Sequence, residues 1–205
     1  MTLTSNPSAA RATKRTPHGE IDPQFIQRWS SRSFLSDPLD PAELASLFEA
    51  ARWAPSASNV QPWLFVYADE EESLTRLRPI VRDGNRRWAD RAPLLVIVFA
   101  RLNNPKTGEP NRLAAFDAGA AWMSLALQAL KLGLSAHAMG GIHHDRAHEL
   151  LGVPKDEFQC LCGIAVGKRG SPHSLPEDLQ AREVPSDRKP VHEFAHRGVY
   201  RSAEQ

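Results

Sequence analysis

The stretch from Leu113 to Leu132 constrains the fold more than any other part of this sequence. Its residues, LAAFDAGAAWMSLALQALKL, are apolar on nearly every face of a helix, and Gly133 follows at the position where helices commonly end in a left-handed residue. A helix that is apolar all round is buried, either in the centre of a domain or at a subunit interface. The chain therefore needs further elements, or a second subunit, to cover it.

Three short apolar runs predict the strands of a sheet, namely Trp63 to Ala68, Leu94 to Ala100 and Phe158 to Val166. Capping signals and helical spacing predict helices from Pro23, from Pro41, from Asp69 to Ile80 and from His144 to Leu151, with a basic loop from Arg82 to Arg91. Strands separated by helices in this way indicate an α/β or α+β layered domain.

Length and charge set the broad class of protein. The 205 residues, 41% of them hydrophobic, suit one compact domain, and 25 basic residues balance 24 acidic ones. This balance gives no reason to expect a nucleic-acid or membrane partner, and no apolar run approaches the roughly 20 residues that span a bilayer. We expect a cytoplasmic protein with a flexible tail at 1–20, a single domain at 21–200 and a short tail at 201–205.

Two polar clusters are candidates for binding a ligand. Arg28, Trp29, Ser30, Ser31 and Arg32 concentrate guanidinium and hydroxyl donors, which bind phosphate groups, although cations at a helix end that offset its dipole are the alternative. The second cluster, Ala54 to Trp63, places short polar side chains between two prolines. Such a rigid, neutral loop suits a heteroaromatic ring edge or a polyol, with a structural turn as the alternative.

Both clusters resemble the N-terminal signature of FMN-dependent nitroreductases. The matching pieces are Arg-x-Ser-x-Arg-x-Phe from Arg28 to Phe34 and, after a capped helix, Ala-Pro-Ser-x-x-Asn-x-Gln-Pro-Trp from Ala54 to Trp63. The resemblance continues to about residue 197. It implies an α+β, three-layer α/β/α sandwich with a mixed central sheet, in a homodimer whose C-terminal extension wraps around the partner.

The resemblance also assigns roles to residues at the phosphate end of FMN. Arg28, Ser30 and Arg32 are expected to hold the phosphate and ribityl chain, with Trp29 contributing through its backbone. Arg188 is expected to close over the phosphate. Two residues before it, where the family commonly has a second basic residue, this chain has Ser186, so Lys189 or Arg169 is expected to replace that charge.

Further residues are expected around the flavin ring. Asn85 matches a position that hydrogen-bonds the polar edge of the ring, and the Met139-Gly140-Gly141 segment matches backbone lying near the flavin N5 atom. The loop residues that reach the flavin held mainly by the partner subunit are Ser56, Ser58 and Asn59. Where some relatives place a lysine near the ring, this chain has Trp88, which leaves Arg86 or Arg87 to stabilise a reduced flavin.

The implied activity is transfer of hydride from NADH or NADPH through the flavin N5 atom to a small oxidised acceptor of nitroaromatic, quinone or enone type. The mechanism is expected to be ping-pong, with no catalytic side chain because the cofactor carries the chemistry. One alternative is a flavin-binding protein without turnover, which Trp88 would favour if its ring filled the substrate slot. Another is a specialised flavin enzyme of the same fold.

Histidines and cysteines offer a metal-dependent alternative. His144 and His148 are spaced i, i+4 next to His143, but the glutamate of a zincin motif is missing between them. Cys160 and Cys162 lie two residues apart in a predicted strand, where a disulfide would be strained and core packing is the better interpretation. We therefore expect no resident metal ion.

Overall fold

The computed structural model describes residues 15–200. The predicted C-terminal tail at 201–205 and most of the predicted N-terminal tail lie outside the described residues. Four strands form one sheet: β1 (Trp63–Ala68), β2 (Leu94–Arg101), β3 (Leu134–Met139) and β4 (Phe158–Lys168). Their spatial order is β1-β2-β4-β3.

Every neighbouring pair of strands in this sheet is antiparallel. The predicted mixed sheet is therefore wrong for residues 15–200. The helix between β2 and β3 does connect two strands of the same direction, as expected for a crossover. However, β4 inserts between those two strands, so they never pair directly.

Helices cover both faces of the sheet. They are α1 (Gln24–Gln27), α2 (Pro41–Arg52), α3 (Glu71–Leu77), α4 (Asp83–Ala89), α5 (Ala114–Lys131), α6 (His144–Leu151) and α7 (Glu177–Gln180). On one face, α2 and α5 bury residues against alternate side chains of β2, such as Val96 and Val98. On the other face, α3, α4 and α6 pack against Ile97 and Phe99. This arrangement gives three layers, with β2 buried on both sides.

The predicted long helix is α5, and its end agrees with the prediction, because Gly133 adopts a positive φ of 75°. Its burial is only partial in the single chain. Ala118, Ala121 and Leu125 are buried against the sheet, whereas Phe116 is 76% exposed. Within one chain, α5 therefore has an apolar side that the sheet does not cover.

Three local predictions differ from the structure. The first helix ends at Gln27, so Trp29 lies in the extended segment beyond it. The predicted basic loop from Arg82 to Arg91 contains α4, because helical backbone there buries Trp88 and Ala89 in the core. Strand β3 was not predicted, since its sequence LSAHAM lacks an apolar run.

The elements that position the candidate site meet at one end of β3 and β4. The backbone N–H of Leu35 donates to the Lys168 carbonyl oxygen at 2.9 Å, and the N–H of Gly170 donates to the Ser33 carbonyl oxygen at 2.9 Å. These bonds attach the segment after α1 to the end of β4. No helix within residues 15–200 is both long and apolar enough to cross a membrane.

Candidate functional site

A cavity of about 240 Å³ lies between the segment after α1, strand β3 and the segment after α7. Ten residues line it: Arg15, Arg28, Trp29, Ser30, Arg32, His137, Arg182, Val184, Ser186 and Arg188. Five of them are arginines, and no aspartate or glutamate is among them. The structure thus brings together five of the predicted site residues, namely Arg28, Trp29, Ser30, Arg32 and Arg188.

The arginines of this cavity repel one another. The pKa of the Arg28 guanidinium is lowered from its ordinary value by burial and by the nearby charge of Arg188. The pKa of Arg32 is lowered by burial and by Arg182, an effect that Glu183 partly offsets. Gathering like charges in a partly buried place is unfavourable unless an anion joins them, so the cavity has the electrostatics of an anion site.

A buried carboxylate fixes the backbone beside the cavity. Glu183 is only 3% exposed, and its carboxylate accepts hydrogen bonds from the Ser31 hydroxyl and from the backbone N–H groups of Arg32 at 3.0 Å and Ser33 at 3.1 Å. A carboxylate that accepts several N–H and O–H donors at once is a strong anchor for a loop. Glu183 therefore holds the arginine-bearing segment in place.

His137 forms the inner wall of the cavity. Its Nδ1 atom lies 3.0 Å from the Ser31 carbonyl oxygen, and its ring packs 4.5 Å from the Trp88 ring centre. Burial, with a contribution from Arg32, lowers the pKa of His137 to about 4. The imidazole is therefore neutral at pH 7, and it adds no further positive charge.

The Asn85 side chain and Gly141 lie together at the far end of β3. The Asn85 Nδ2 atom donates to the Gly141 carbonyl oxygen at 3.2 Å, and the Arg82 N–H donates to the same oxygen at 3.0 Å. A Cβ atom on Gly141 would collide with the Asn85 amide, whereas Gly140 faces open space. The Met139 side chain points into the core, so it can offer only backbone to a ligand.

Two elements connect this turn with the cavity. Strand β3 carries His137 at the cavity, and Gly140 follows three residues later. Helix α4 runs alongside, with Asn85 at Gly141 and Trp88 one turn later against His137. At about 3.3 Å per strand residue, the two places are roughly 10 Å apart.

The third group of predicted residues lies in a strained loop. Ser58 and Asn59 adopt positive φ values of 50° and 53°, which non-glycine residues rarely do except where the surrounding structure imposes them. The Ala57 N–H donates to the buried Asp117 carboxylate on α5 at 3.1 Å, and the Ser56 hydroxyl oxygen accepts from the backbone of Gln61. None of Ser56, Ser58 and Asn59 lines the arginine cavity.

The titratable residues of the cavity region that were not predicted are Arg15, His137, Arg182 and Glu183. Three of them have hydrogen-bond partners more than 100 positions away, Ser186 for Arg15 and Ser31 for both His137 and Glu183, and no local motif signals such pairs.

The basic residues expected to compensate for Trp88 and Ser186 do not line the arginine cavity. Arg86 is paired with Asp90 and Arg87 with Asp178. Among described groups, Lys189 approaches Glu193 at 3.9 Å, with its side chain 80% exposed. The Arg169 guanidinium lies 5.8 Å from the Trp29 ring centre, outside the cavity lining.

Trp88 itself is 2% exposed and stacks on Phe34 with ring centres 6.2 Å apart. The idea that its ring fills a substrate slot is wrong, because the core of the domain encloses it.

The histidines and cysteines considered as metal ligands take part in the packing and hydrogen bonding of the domain. The Nδ1 atoms of His144 and His148 lie within hydrogen-bond distance of backbone carbonyl oxygens, at 3.0 and 2.8 Å. Burial raises the pKa of Cys160 to about 12 and that of Cys162 to about 11, so both thiols stay protonated. In the part of the chain that the structure describes, no three His, Cys, Asp or Glu residues are grouped to hold a metal ion.

Comparison with known proteins identifies the family. The model of the nitroreductase family matches residues 26–168, which is more than half of the chain. The chain therefore belongs to the nitroreductase family.

Relatives and solved structures agree with this placement. A Rhodopseudomonas palustris protein, provisionally named NADH dehydrogenase/NAD(P)H nitroreductase, is 28% identical over 172 residues, covering 74% of this chain and 87% of that protein. A Streptomyces coelicolor protein of the same provisional name is 36% identical over 74 residues. That match covers 36% of this chain and only 37% of the relative's length.

A crystal structure described as an oxidoreductase containing FMN is 40% identical to this chain. It superposes with a TM-score of 0.88 and covers 94% of this chain and 98% of that one. An Exiguobacterium sibiricum structure, provisionally named a nitroreductase in complex with FMN, is 21% identical with a TM-score of 0.70 and covers 88% and 99%. At that identity it shows the shared fold alone.

Proposed function

We propose that this chain is an FMN-dependent oxidoreductase that takes hydride from NADH or NADPH and reduces a small nitroaromatic, quinone or enone acceptor. The observation that carries the proposal is the arginine cavity, in which five guanidinium groups meet without a carboxylate in the lining. Planar guanidinium donors match the oxygens of a phosphate, and the phosphate charge would relieve their repulsion. The residues present therefore fit the phosphate end of FMN.

This fit supports the predicted roles of the residues at the phosphate end. Arg28, Ser30 and Arg32 would hold the phosphate and ribityl chain, Trp29 would contribute backbone, and Arg188 would close over the phosphate. The Glu183 anchor supports these roles, because it accepts from the backbone N–H groups of Arg32 and Ser33 and so fixes the segment that carries the Arg32 guanidinium. Preorganised donors bind an anion without the entropy loss of ordering a loop.

The turn after β3 suits the ring end of the same ligand. At the rise of a β-strand, this turn lies roughly 10 Å from the cavity. That distance is on the scale of a ribityl chain. Gly140 has open space where a side chain would stand, which favours main chain lying against a flat ring, with Met139 and Gly141 on either side of it. Asn85, fixed by its bond to Gly141, would meet the polar edge of the ring.

We further propose a homodimer in which Ser56, Ser58 and Asn59 reach the FMN held mainly by the partner subunit. The exposed apolar side of α5 supports this proposal, since Phe116 is 76% exposed and Trp53, at the end of α2, is 73% exposed. The C-terminal segment carries further exposed apolar residues, including Phe194 at 65% and Tyr200 at 77%. Patches of this kind mark interfaces, and wrapping of the C-terminal segment around a partner would cover them.

FMN, when bound, supplies the redox chemistry by accepting hydride from the nicotinamide and passing electrons to the acceptor. The contribution of this chain is binding and electrostatics. The arginines provide a positive field that favours negative charge in the site, while the neutral imidazole of His137 supports the Ser31 backbone. The mechanism calls on no side chain as an acid or base.

Initial-rate kinetics test this function. With NADH or NADPH and menadione both varied, the double-reciprocal plots should give parallel lines, as expected for a ping-pong mechanism. Converging lines would contradict the ping-pong mechanism while leaving the activity intact. If FMN-loaded protein consumes neither nucleotide with quinone or nitroaromatic acceptors, the enzyme assignment is wrong, and a flavin-binding protein without turnover becomes the better interpretation.

A further inference from the structure

Arg15 lies in the arginine cavity although it belongs to none of the motifs described above. Its Nε atom donates to the Ser186 carbonyl oxygen at 2.9 Å, and its NH1 atom donates to the carbonyl oxygens of Ile26 at 2.7 Å and Arg28 at 2.8 Å. Three fixed hydrogen bonds hold the guanidinium at the wall of the cavity. Arg15 thus joins the segment after α1 to the C-terminal segment that carries Arg188.

The three acceptors of Arg15 are neutral carbonyl groups, so they orient its charge without cancelling it. Among described residues, no carboxylate comes within ion-pair distance of Arg15, and the most direct charges around it are those of Arg28 and Arg188. Both lower the pKa of Arg15, with burial as the larger cause, while Asp187 acts in the opposite direction. A cation held among like charges is stabilised by an anion that binds between them.

The position of Arg15 also bears on Ser186, which stands where the resemblance implies a basic residue. This chain has a short hydroxyl side chain there instead. The Arg15 guanidinium is hydrogen-bonded to the backbone of that same residue. The positive charge missing from the C-terminal segment is therefore present in space, delivered by a residue 171 positions earlier in the chain.

We propose that Arg15 is a phosphate-binding residue of the arginine cavity and replaces the basic residue that the C-terminal segment lacks at Ser186. This inference rests on the proposed function, because the phosphate in question is that of FMN. It extends the binding site to a part of the chain that the sequence motifs assign to a tail.

The test compares FMN affinity in three variants with that of the wild-type protein. Arg15→Gln removes the charge but keeps a hydrogen-bond donor, Arg15→Lys keeps the charge, and Arg76→Gln is a control at an exposed arginine on α3. We expect Arg15→Gln to raise the FMN dissociation constant about tenfold, the effect of losing one charge-assisted contact in a partly exposed place. Arg15→Lys should remain within about threefold of the wild type, and Arg76→Gln should match it.

Salt dependence and stability distinguish two roles of Arg15: direct contact with the phosphate, and a purely structural link between the segment after α1 and the C-terminal segment. Neutralising one cation that contacts the phosphate should make FMN affinity less sensitive to added salt, because salt screens charge interactions. The ligand role is overturned if Arg15→Gln binds FMN like the wild type. It is also overturned if Arg15→Gln and Arg15→Lys weaken FMN binding equally and lower the unfolding temperature equally, since a purely structural link would give that pattern.

Failure of the proposed function is distinguishable from failure of this inference. If the wild-type protein does not bind FMN, the function is wrong, and the same variants are then compared for stabilisation by inorganic phosphate. Stabilisation that depends on the charge at position 15 supports a phosphate site with Arg15 in it. No stabilisation, or stabilisation that Arg15→Gln retains in full, overturns the assignment of Arg15.

Discussion

Glu183 offers the sharpest test of how the site is built. Its carboxylate is 3% exposed and accepts hydrogen bonds from the Ser31 hydroxyl and from the N–H groups of Arg32 and Ser33. Glu183→Ala removes the only carboxylate that these three donors contact among the described residues, and it leaves a void beside the loop. The N–H groups of Arg32 and Ser33 then lose their acceptor unless the loop opens to water, whereas the Ser31 hydroxyl keeps a longer contact with the Ser33 carbonyl oxygen at 3.4 Å.

The magnitude follows from the number of donors. A buried donor that loses its acceptor costs about 1 to 3 kcal/mol, and partial entry of water reduces the sum for the two neighbouring N–H donors. We expect Glu183→Ala to lower the free energy of unfolding by about 3 kcal/mol. Glu183→Gln keeps one carbonyl acceptor but turns an amide group toward N–H donors, so it should lose about half as much.

Urea unfolding followed by tryptophan fluorescence measures these losses at fixed protein concentration and without FMN. Glu177→Gln, at an exposed carboxylate on α7, is the matched control and should change stability by less than about 0.5 kcal/mol. Both Glu183 variants should also bind FMN more weakly, since the anchored loop carries Arg32. A change below about 0.5 kcal/mol for Glu183→Ala would refute the view that this carboxylate fixes the loop.

Three further predictions concern single residues of the site. Arg32→Ala should weaken FMN binding by about 1 to 3 kcal/mol in a titration, because it removes a charge-assisted contact, and unchanged affinity would contradict its assignment. Gly141→Ala should lower the free energy of unfolding by about 1 kcal/mol, because its Cβ would displace the Asn85 amide from its hydrogen bond to the Gly141 carbonyl oxygen. Gly84→Ala, with open space on α4, should not destabilise the protein, and equal effects of the two substitutions would refute this. Because the pKa of His137 is about 4 in the folded chain and 6.5 in the unfolded one, the unfolded state binds more protons between pH 6.5 and 4. Wild-type stability relative to His137→Asn should therefore fall by about 3 kcal/mol as pH drops through that window, and a constant difference would contradict the shift.

Local sequence signals predicted the elements whose burial pattern is simple. Pro41 starts α2, and the Glu43 carboxylate accepts from the Asp40 N–H at 3.0 Å, as the capping pattern indicates. Strand β2 is a continuous apolar run because both of its faces are buried. Strand β3 gave no such signal, since His137 and Ser135 alternate with small residues and its pairing with β4 is a tertiary contact.

The residues of the candidate site also fall into two groups, those that a local motif predicts and those that only the folded chain brings together. Motif spacing brought out Arg28, Ser30 and Arg32 because they are close together in the chain. Arg15 and Glu183 reach the same place through hydrogen bonds across 171 and more than 150 positions, and only the folded chain reveals such pairs. The mixed sheet that the resemblance implied was wrong for residues 15–200, because β4 inserts between β2 and β3, and nothing in the sequence shows this insertion.

The visible absorption spectrum of the purified protein, before and after anaerobic addition of NADH or NADPH, tests the central claim most directly. We predict an oxidised-flavin spectrum, present on purification or after incubation with FMN, that bleaches when one of the nucleotides is added. A protein that shows no flavin spectrum even after incubation with FMN would contradict the account. A flavin spectrum that resists both nucleotides would contradict the oxidoreductase assignment while leaving the binding site intact.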